Sequence, residues 1–295
     1  MRALIYSRIL KKNDIPYLQE LVQTLKEKQV DFVFPRQYWQ QIESLKAIEG
    51  FHPILEEGED LTQKQIDVVI TLGGDGTILG CLKLVVDTEI PILGINLGRM
   101  GFLADIEKAK IKEAVEAVVA GRYNLDKRSI IRLDSNIPLF GNLPYALNDF
   151  TLLKRDTSSM VTIHAYVNGD YLNTYWSDGI IMATPTGSTG YSLSCGGPII
   201  FPSSNNFVIT PVAPHNLNVR PIVIPDDAVV SFEIEGRAEN FLCTLDSRFE
   251  TISSSVKLAV KKADFKIALI QLEEGHFLHT IREKLAWGLD KRNRL

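Results

Sequence analysis

The hydrophobic pattern of this 295-residue chain changes near residue 123, and that change most constrains the fold. Before it, short apolar runs such as residues 66–72 and 91–96 alternate with amphipathic stretches. This alternation is typical of an α/β domain with a mainly parallel sheet. After it, short runs of β-branched and aromatic residues are separated by turn residues. The second pattern predicts a β-rich, sandwich-like domain.

Helical spacing of apolar residues returns near the C-terminus, where Phe277 and Ile281 would share one helix face. A chain of this length is long enough for two ordinary cores. We therefore predict an α/β domain over residues 1–122 and a β-rich domain over residues 123–275. Residues 276–295 are predicted to form a C-terminal helix that returns to the first domain.

Several local signals refine this prediction. Asp14 is a candidate cap for the helix that follows it. Residues 168–169, Asn-Gly, predict a tight hairpin turn between two strands. Two further helices are predicted over residues 77–86 and 104–120, and Gly121 is expected to close the second.

Charge and composition limit the partners of the chain. It has 32 basic and 36 acidic residues and a formal net charge of −4, which argues against nucleic acid or an anionic membrane and favours a small-molecule substrate. Its three cysteines are far apart and form no Cys-x-x-Cys pair, which indicates a reducing compartment and no zinc site. No signal peptide or apolar run long enough to cross a bilayer is found. We therefore expect a cytoplasmic protein.

Residues 73–77, Gly-Gly-Asp-Gly-Thr, lie between a predicted buried strand and a predicted helix. Open α/β sheets bind ligands beyond the carboxyl ends of their strands, and glycines there let the backbone approach a phosphate. Asp75 would repel phosphates, so we expect it to face a hydroxyl as a general base or to bind a phosphate-bound Mg²⁺. The alternative is that Asp75 caps the helix. The turn is neither a Walker loop nor a Gly-x-Gly-x-x-Gly motif.

A run of hydroxyl-bearing and glycine residues covers positions 178–198. Such a run suits a polar ligand better than a core, and Tyr191 could stack on a base or ring. The pair Asn148-Asp149 could contact ribose hydroxyls or the edge of a base, with an ordinary turn as the alternative. Residues 96–103 place an arginine between two glycines, which fits either a phosphate site or a solvated turn.

Together these motifs resemble those of the NAD kinase family. The family is marked by a Gly-Gly-Asp-Gly-Thr turn, an Asn-Glu or Asn-Asp pair, and an Asp-Gly…Thr-Pro-Thr-Gly-Ser-Thr-Ala-Tyr run, and all three occur in this chain in that order. The similarity extends to residues 96–103, 214–221 and 278–287. It implies phosphorylation of the 2′-hydroxyl on the adenosine ribose of NAD, with ATP or another phosphate donor and a divalent metal, expected to be Mg²⁺. It also implies a homodimer or homotetramer.

The resemblance further implies roles for individual residues. Asp75 takes the place of the proton acceptor and is a candidate ligand for a metal held mainly by the donor phosphates. Asn148 and Asp149 match a pair that contacts the dinucleotide, and Asp178 matches a residue near its nicotinamide end. The binding residues expected in this way are Gly74, Gly76, Thr77, Asn148, Asp149, Trp176, Asp178, Thr186, Thr189, Gly190, Tyr191, Ser192, Leu193, Ser194 and Arg248.

Three positions depart from the family pattern. Gly190 stands where alanine is usual, and Trp176 stands where some bacterial relatives have an arginine, which leaves the preference for NAD or NADH open. Arg248 replaces a glutamine, so its contact with substrate is open too. The choice between ATP and polyphosphate is equally open.

Two other functions remain as alternatives. One is a lipid or sugar kinase that shares only the Gly-Gly-Asp-Gly turn, although the acidic chain lacks the basic amphipathic segment that a lipid surface would favour. The other is a sensor that binds NAD or NADP without catalysis.

Overall fold

The fold is that of a computed structural model, which describes residues 1–50, 52–98, 101–155, 160–235, 240–272 and 277–287. The chain divides into two compact units. Unit 1 consists of Met1–Lys127 and the chain from Ile267 onward, and unit 2 is Arg128–Lys266.

The regular elements follow one another along the chain as β1 (Arg2–Tyr6), α1 (Ile15–Glu27), β2 (Asp31–Pro35), α2 (Arg36–Ser44), β3 (Ile54–Leu55), β4 (Val68–Gly73), α3 (Asp75–Val85), β5 (Ile92–Asn96), β6 (Ile106–Glu107), α4 (Ile111–Val119), β7 (Asn124–Ser135), β8 (Tyr145–Ala146), β9 (Asp149–Lys154), β10 (Val161–Val167), β11 (Asp170–Ser177), β12 (Gly179–Ala183), α5 (Tyr191–Ser194), β13 (Asn206–Val212), β14 (Ile222–Pro225), β15 (Val230–Glu235), β16 (Phe241–Leu245), β17 (Arg248–Ile252), β18 (Leu258–Gln271) and α6 (Phe277–Leu285).

Unit 1 is built on a parallel sheet with the strand order β3-β2-β1-β4-β5 and with β6 beside β5. Strands β1, β4 and β5 are buried along nearly their whole length, as expected for parallel strands covered on both faces. From β1 the chain moves outward through β2 and β3, and it then returns to the other side of β1 with β4. The loops after β1 and β4 therefore flank a crevice of the kind in which open α/β sheets bind ligands.

Helix α1 begins differently from its prediction. Pro16 lies in the first turn, but Asp14 makes no side-chain capping hydrogen bond. A capping residue has an extended backbone, whereas Asp14 ends a 3₁₀ turn and has φ −93° and ψ −12°. The prediction of an Asp14 cap is therefore wrong. The apolar stripe of the helix is buried and consists of Leu18, Leu21, Val22 and Leu25.

The helix predicted over residues 104–120 begins later than expected. Ile106–Glu107 pairs with β5 as strand β6, and a 3₁₀ turn over Lys108–Lys110 precedes α4. Pairing with a neighbouring strand overrides the helical tendency of these residues. The end of the helix is confirmed, because Gly121 has φ +66° and closes α4 in the left-handed conformation that glycine adopts easily.

Unit 2 contains two antiparallel sheets. One has the order β14-β13-β12-β9-β16-β17, and the other runs β11-β10-β15 and then the first part of β18. Both sheets contribute to one apolar core, in which the rings of Phe150 and Phe232 stack with centroids 5.5 Å apart. The predicted hairpin joins β10 and β11, where Asn168 and Gly169 have φ +53° and +88°, as a type I′ turn requires.

The C-terminal helix α6 belongs to unit 1. Ile281 is buried, and the ring of Phe277 lies 6.4 Å from the ring of Phe102 in the loop after β5. Lys284 Nζ lies 5.9 Å from the centre of the same Phe102 ring. The predicted fold, an α/β domain followed by a β-rich domain and a returning C-terminal helix, is confirmed.

Candidate functional site

The side chain of Asp75 is held by the loop that follows β5. Asp75 is the first residue of α3, and its Oδ2 accepts a hydrogen bond of 2.8 Å from the N–H of Phe102. Its Oδ1 accepts hydrogen bonds of 3.0 Å from the N–H groups of Leu103 and Ala104. Three consecutive backbone donors therefore fix the direction of the carboxylate.

These bonds distinguish between the two interpretations of Asp75. The cap position of α3 is Gly74, and no side chain caps this helix, so the capping interpretation is wrong. An ionised carboxylate has about four acceptor positions. The loop uses one position on Oδ2 and two on Oδ1. One position on Oδ2 is left for a further donor, such as a hydroxyl.

Gly101 allows the loop to approach Asp75 so closely. A Cβ at this position would overlap the Asp75 carboxylate. Asn96 shapes the same loop, because its Nδ2 donates to the carbonyl of Ala104 at 3.1 Å and its Oδ1 accepts from the N–H of Gly98 at 2.7 Å. The motif over residues 96–103 thus contributes to orienting Asp75. Its arginine lies outside the described residues.

A cavity of about 500 Å³ opens beside the glycine turn, and we call it the turn cavity. Gly73, Gly74, Gly76 and Thr77 line it, together with residues that follow β1 and β5. A Cβ on Gly74 would meet nothing within 4 Å, so a ligand can come close to the backbone there. The uncapped N-terminus of α3 also borders the cavity and favours an anion.

Two basic residues on the turn cavity were missed by sequence reasoning. Arg8 and Lys11 follow β1 and line the cavity. Arg8 Nη1 lies 3.7 Å from where a Cβ on Gly76 would stand, and an arginine beside a glycine turn is suited to a phosphate. The strand order could have indicated them, because the loops after β1 and β4 are neighbours in the sheet.

In unit 2, Asn148 and the buried Asp149 lie beside a second carboxylate, that of the partly buried Asp246. The Asp246 carboxylate accepts hydrogen bonds of 3.0, 2.7 and 3.3 Å from the N–H groups of Leu147, Asn148 and Asp149. Burial and the charge of Asp246 raise the pKa of Asp149 to about 7. Burial also raises the pKa of Asp246, but its three N–H donors favour the ionised form. Asp149 and Asp246 therefore form a coupled pair of carboxyl groups, and the pair holds a proton at a higher pH than two separate exposed carboxyl groups would.

The amide of Asn148 has an unsatisfied group. Its Oδ1 is buried and has no hydrogen-bond partner within the described part of the chain. Buried polar atoms in native proteins nearly always have a partner. A ligand that donates a hydrogen bond would supply one.

The residues of the run 178–198 that were predicted to bind a ligand fall into two sets, which differ in the burial of their side chains. The hydroxyl groups of Thr186 and Ser192 are buried and hydrogen-bonded inside unit 2. Thr186 Oγ1 accepts a hydrogen bond from Arg128 Nη1 at 3.1 Å, and Ser192 Oγ lies 2.8 Å from Thr210 Oγ1. These two shape the loop. The remaining predicted residues of the run are partly or fully exposed and are Thr189, Gly190, Tyr191, Leu193 and Ser194.

The loop around Gly190 lies close to the Asn148-Asp149 pair. A Cβ on Gly190 would lie 3.9 Å from Asn148 Nδ2 and from Asp149 Oδ2. Burial and, to a smaller extent, the charges of Asp149 and Asp178 raise the pKa of the Tyr191 hydroxyl. The structure therefore brings these predicted residues of unit 2 into one polar cluster.

Trp176 lies near the end of β11, and Asp178 follows the strand directly. The Asp178 carboxylate forms an ion pair of 2.5 Å with Lys154 Nζ. The Trp176 side chain is 55% exposed, so a large apolar surface is available two residues before Asp178.

Arg248 is bound to the scaffold of unit 2. Its Nη1 donates to the carbonyl of Leu143 at 2.5 Å, and its Nη2 donates to the carbonyl of Tyr145. The guanidinium also lies 5.6 Å from the centre of the Phe140 ring. These contacts account for the arginine without a substrate.

No cluster of three or more His, Cys, Asp or Glu side chains that could hold a metal ion occurs among the described residues. Mg²⁺, however, commonly needs only one or two carboxylates when substrate phosphates supply other ligands. Asp14 lines the turn cavity and provides one such carboxylate. Within the described ranges, no helix is both long and apolar enough to span a bilayer.

Family models match both halves of the chain. Residues 4–123 match the ATP-NAD kinase N-terminal domain, and residues 147–272 match the ATP-NAD kinase C-terminal domain. An NAD kinase of Cytophaga hutchinsonii is 46% identical over 290 residues, which cover 98% of this chain and 99% of that protein. An NAD kinase of Flavobacterium psychrophilum is 42% identical over 295 residues, covering 99% of this chain and all of that one.

Solved structures share the fold at lower identity. A yeast NADH kinase complexed with NADH aligns with a TM-score of 0.87 at 22% identity, covering 98% of this chain and 88% of that chain. An NAD kinase from Archaeoglobus fulgidus in complex with ATP aligns with a TM-score of 0.72, also at 22% identity, covering 97% of this chain and 99% of that chain.

Proposed function

Because the chain belongs to the NAD kinase family and is therefore a phosphotransferase, we propose that it transfers the terminal phosphate of ATP to the 2′-hydroxyl on the adenosine ribose of NAD. In this reaction the ribose oxygen attacks the γ-phosphorus while Asp75 accepts the hydroxyl proton. The bond between the γ-phosphorus and the bridging oxygen breaks, and ADP leaves.

The observation that carries this proposal is the geometry of the Asp75 carboxylate. Three backbone N–H groups hold it, so little reorganisation is needed when a hydroxyl arrives. The acceptor position left on Oδ2 is the one to which the ribose hydroxyl would donate. A fixed base of this kind orients the attacking oxygen as well as taking its proton.

The donor phosphates are assigned to the turn cavity. Arg8 and Lys11 would neutralise phosphate charge there, and Gly74, Gly76 and Thr77 would let the backbone approach the phosphate oxygens. A divalent metal, when bound, would offset further negative charge on the transferring group. It would be held mainly by the donor phosphates, with Asp14 as the protein carboxylate at hand.

The dinucleotide is assigned to the polar cluster of unit 2. The free Asn148 Oδ1 and the Asp149 carboxylate would accept hydrogen bonds from ribose hydroxyls or a base, and Tyr191 would stack on a ring. Asp178 and the exposed Trp176 would lie toward the nicotinamide end. Thr189, Gly190, Leu193 and Ser194 would border the ligand, whereas Thr186 and Ser192 would act by shaping the loop. A direct role for Arg248 is not supported by its contacts.

The basic experiment is NADP formation by the purified protein with ATP, Mg²⁺ and NAD, crossed with polyphosphate as donor and NADH as acceptor. NADP formation supports the proposal. Binding of NAD without turnover would favour a sensor, and turnover only with a lipid or sugar acceptor would favour a different kinase. A cytoplasmic location and a homodimer or homotetramer stay predictions from the sequence and the resemblance.

A further inference from the structure

A second cavity, of about 440 Å³, lies in unit 1 over the carboxyl ends of β1, β2 and β3. We call it the side cavity. Ser7 and Arg8, which follow β1, line both the side cavity and the turn cavity. A ligand whose phosphates lie at the glycine turn can therefore extend past Arg8 into the side cavity.

The walls of the side cavity suit a flat ring. Tyr6, Leu55 and Leu84 supply aromatic and apolar surface, and Gln37 and Gln41 supply amide groups. A largely apolar wall with a few polar groups is typical of small-molecule sites, and the volume falls within their usual range of about 300–1,000 Å³.

The side cavity also has a polar side that is poorly satisfied by the protein. Arg36, Gln37 and Tyr38 of the first turn of α2 line it, and no side chain caps this helix. The Tyr38 hydroxyl is buried and finds no hydrogen-bond partner among the residues that the structure describes. Buried polar groups without partners are uncommon. A hydroxyl or a ring nitrogen of a ligand would give the Tyr38 hydroxyl a partner.

Charge indicates which part of a ligand belongs in the side cavity. Glu56 and Glu57 line it, and Arg36 Nε is already bonded to Glu56 Oε2 at 2.7 Å. Arg8 and Lys83 line it as well, so positive and negative charges nearly balance there. The two carboxylates favour a group that donates hydrogen bonds, such as a ribose or the amino group of a base.

The loop between the two cavities is fixed by α2. Gln41 Oε1 accepts a hydrogen bond of 2.8 Å from the N–H of Leu10, and Gln41 Nε2 donates to the carbonyl of Arg8 at 3.2 Å. The same helix thus lines the side cavity and holds the arginine segment of the turn cavity. This continuity is what a single extended ligand requires.

We propose that the side cavity binds the nucleoside part of the phosphate donor, with the base against Tyr6, Leu55 and Leu84. This inference rests on the proposed function, which assigns the donor phosphates to the turn cavity. The side cavity makes the enzyme discriminate a nucleoside triphosphate from inorganic phosphate chains.

The test fills the side cavity from two sides. Gln37→Trp and Glu57→Trp each replace an exposed residue that lines it, and Gln40→Trp on the same helix is the matched control, since Gln40 is exposed and does not line it. We expect the KM for ATP at saturating NAD to rise at least about tenfold in the two filling variants. The KM for NAD and competitive inhibition by inorganic tripolyphosphate should stay within about twofold of wild type.

Other results would overturn the inference. An unchanged KM for ATP in both filling variants would mean that no nucleoside lies there. An equal loss of tripolyphosphate inhibition would mean that the cavity holds phosphate. If the wild type forms no NADP, the proposed function fails. Calorimetric titration of ATP and of tripolyphosphate into the same variants at saturating NAD then tests the side cavity by binding alone. Selective loss of ATP affinity supports the inference, and unchanged ATP affinity contradicts it.

Discussion

The carboxylate of Asp75 occupies the space in which a side chain on Gly101 would stand. Because Gly101 has no side chain, the loop after β5 can come close to the first residue of α3. Three N–H groups of the loop then donate hydrogen bonds to the Asp75 carboxylate. Gly101 and Asp75 therefore act together to orient the carboxylate.

Gly101→Ala should displace the Asp75 carboxylate and lower kcat by about 10²-fold, the usual cost of misplacing a reacting group by roughly 1 Å. The KM for ATP should change little. Steady-state kinetics in wild-type and Asp75→Asn backgrounds measures the effect. If Gly101 acts through Asp75, the substitution costs nothing further when Asp75 is already Asn. An equal loss in both backgrounds would contradict this coupling.

Phe277→Ala should weaken the support that α6 gives to Phe102, whose N–H donates to Asp75. We expect kcat to fall about tenfold with the KM for NAD nearly unchanged, because the loop loses order and not a substrate contact. Leu278→Ala is the control, since this neighbour on α6 is 53% exposed. Equal kcat values for the two variants would show that α6 does not position the loop.

Arg8→Ala should raise the KM for ATP by about 10- to 100-fold, because a charge-assisted hydrogen bond contributes roughly 1.5–3 kcal/mol. The KM for NAD should stay the same. Lys12→Ala removes an exposed positive charge that does not line the turn cavity and serves as the control. A rise in the KM for NAD alone would place the donor elsewhere.

NAD affinity should depend on pH through Asp149, whose pKa is raised to about 7. Protonation removes the negative charge and turns one acceptor position into an O–H donor, so affinity should fall by up to about tenfold between pH 8 and pH 6. Calorimetric titration of NAD across this range measures it. Asp149→Asn should bind with an affinity that no longer changes over the range. A pH dependence that survives in Asp149→Asn would assign the titration to another group.

The same pKa shift predicts the pH dependence of folding. A carboxyl group whose folded pKa lies above its unfolded value binds protons more tightly in the folded state, so its contribution to stability decreases as the pH rises from about 4 to about 7. Asp149→Asn should therefore gain thermal stability over wild type at pH 8 and show less gain at pH 5. The reverse order of melting temperatures would contradict the burial of an ionised Asp149 beside Asp246.

The elements that were correctly predicted from sequence depend on local periodicity or turn chemistry. The hairpin at Asn168-Gly169 and the helix end at Gly121 belong to this class, because glycine conformation decides both. The Asp14 cap and the start of α4 failed for a different reason. A 3₁₀ turn fixed the backbone of Asp14, and pairing with β5 took residues 106–107 into a strand.

The candidate site was predictable as a set of motifs but not as a set of contacts. The partners of Asp75 lie 27 to 29 residues farther along the chain, and the donors to Asp246 lie 97 to 99 residues away. Such pairs depend on tertiary folding, which no local pattern encodes. Arg8 was missed because its position next to the glycine turn follows only from the strand order.

The most direct measurement of the central claim is the rate of NADP formation by Asp75→Asn together with its affinity for NAD. The amide keeps the size of the side chain but cannot take the hydroxyl proton. We predict that kcat falls by about 10²–10⁴-fold while the dissociation constant for NAD stays within about threefold of wild type. A variant that retains nearly full kcat would show that Asp75 is not the base.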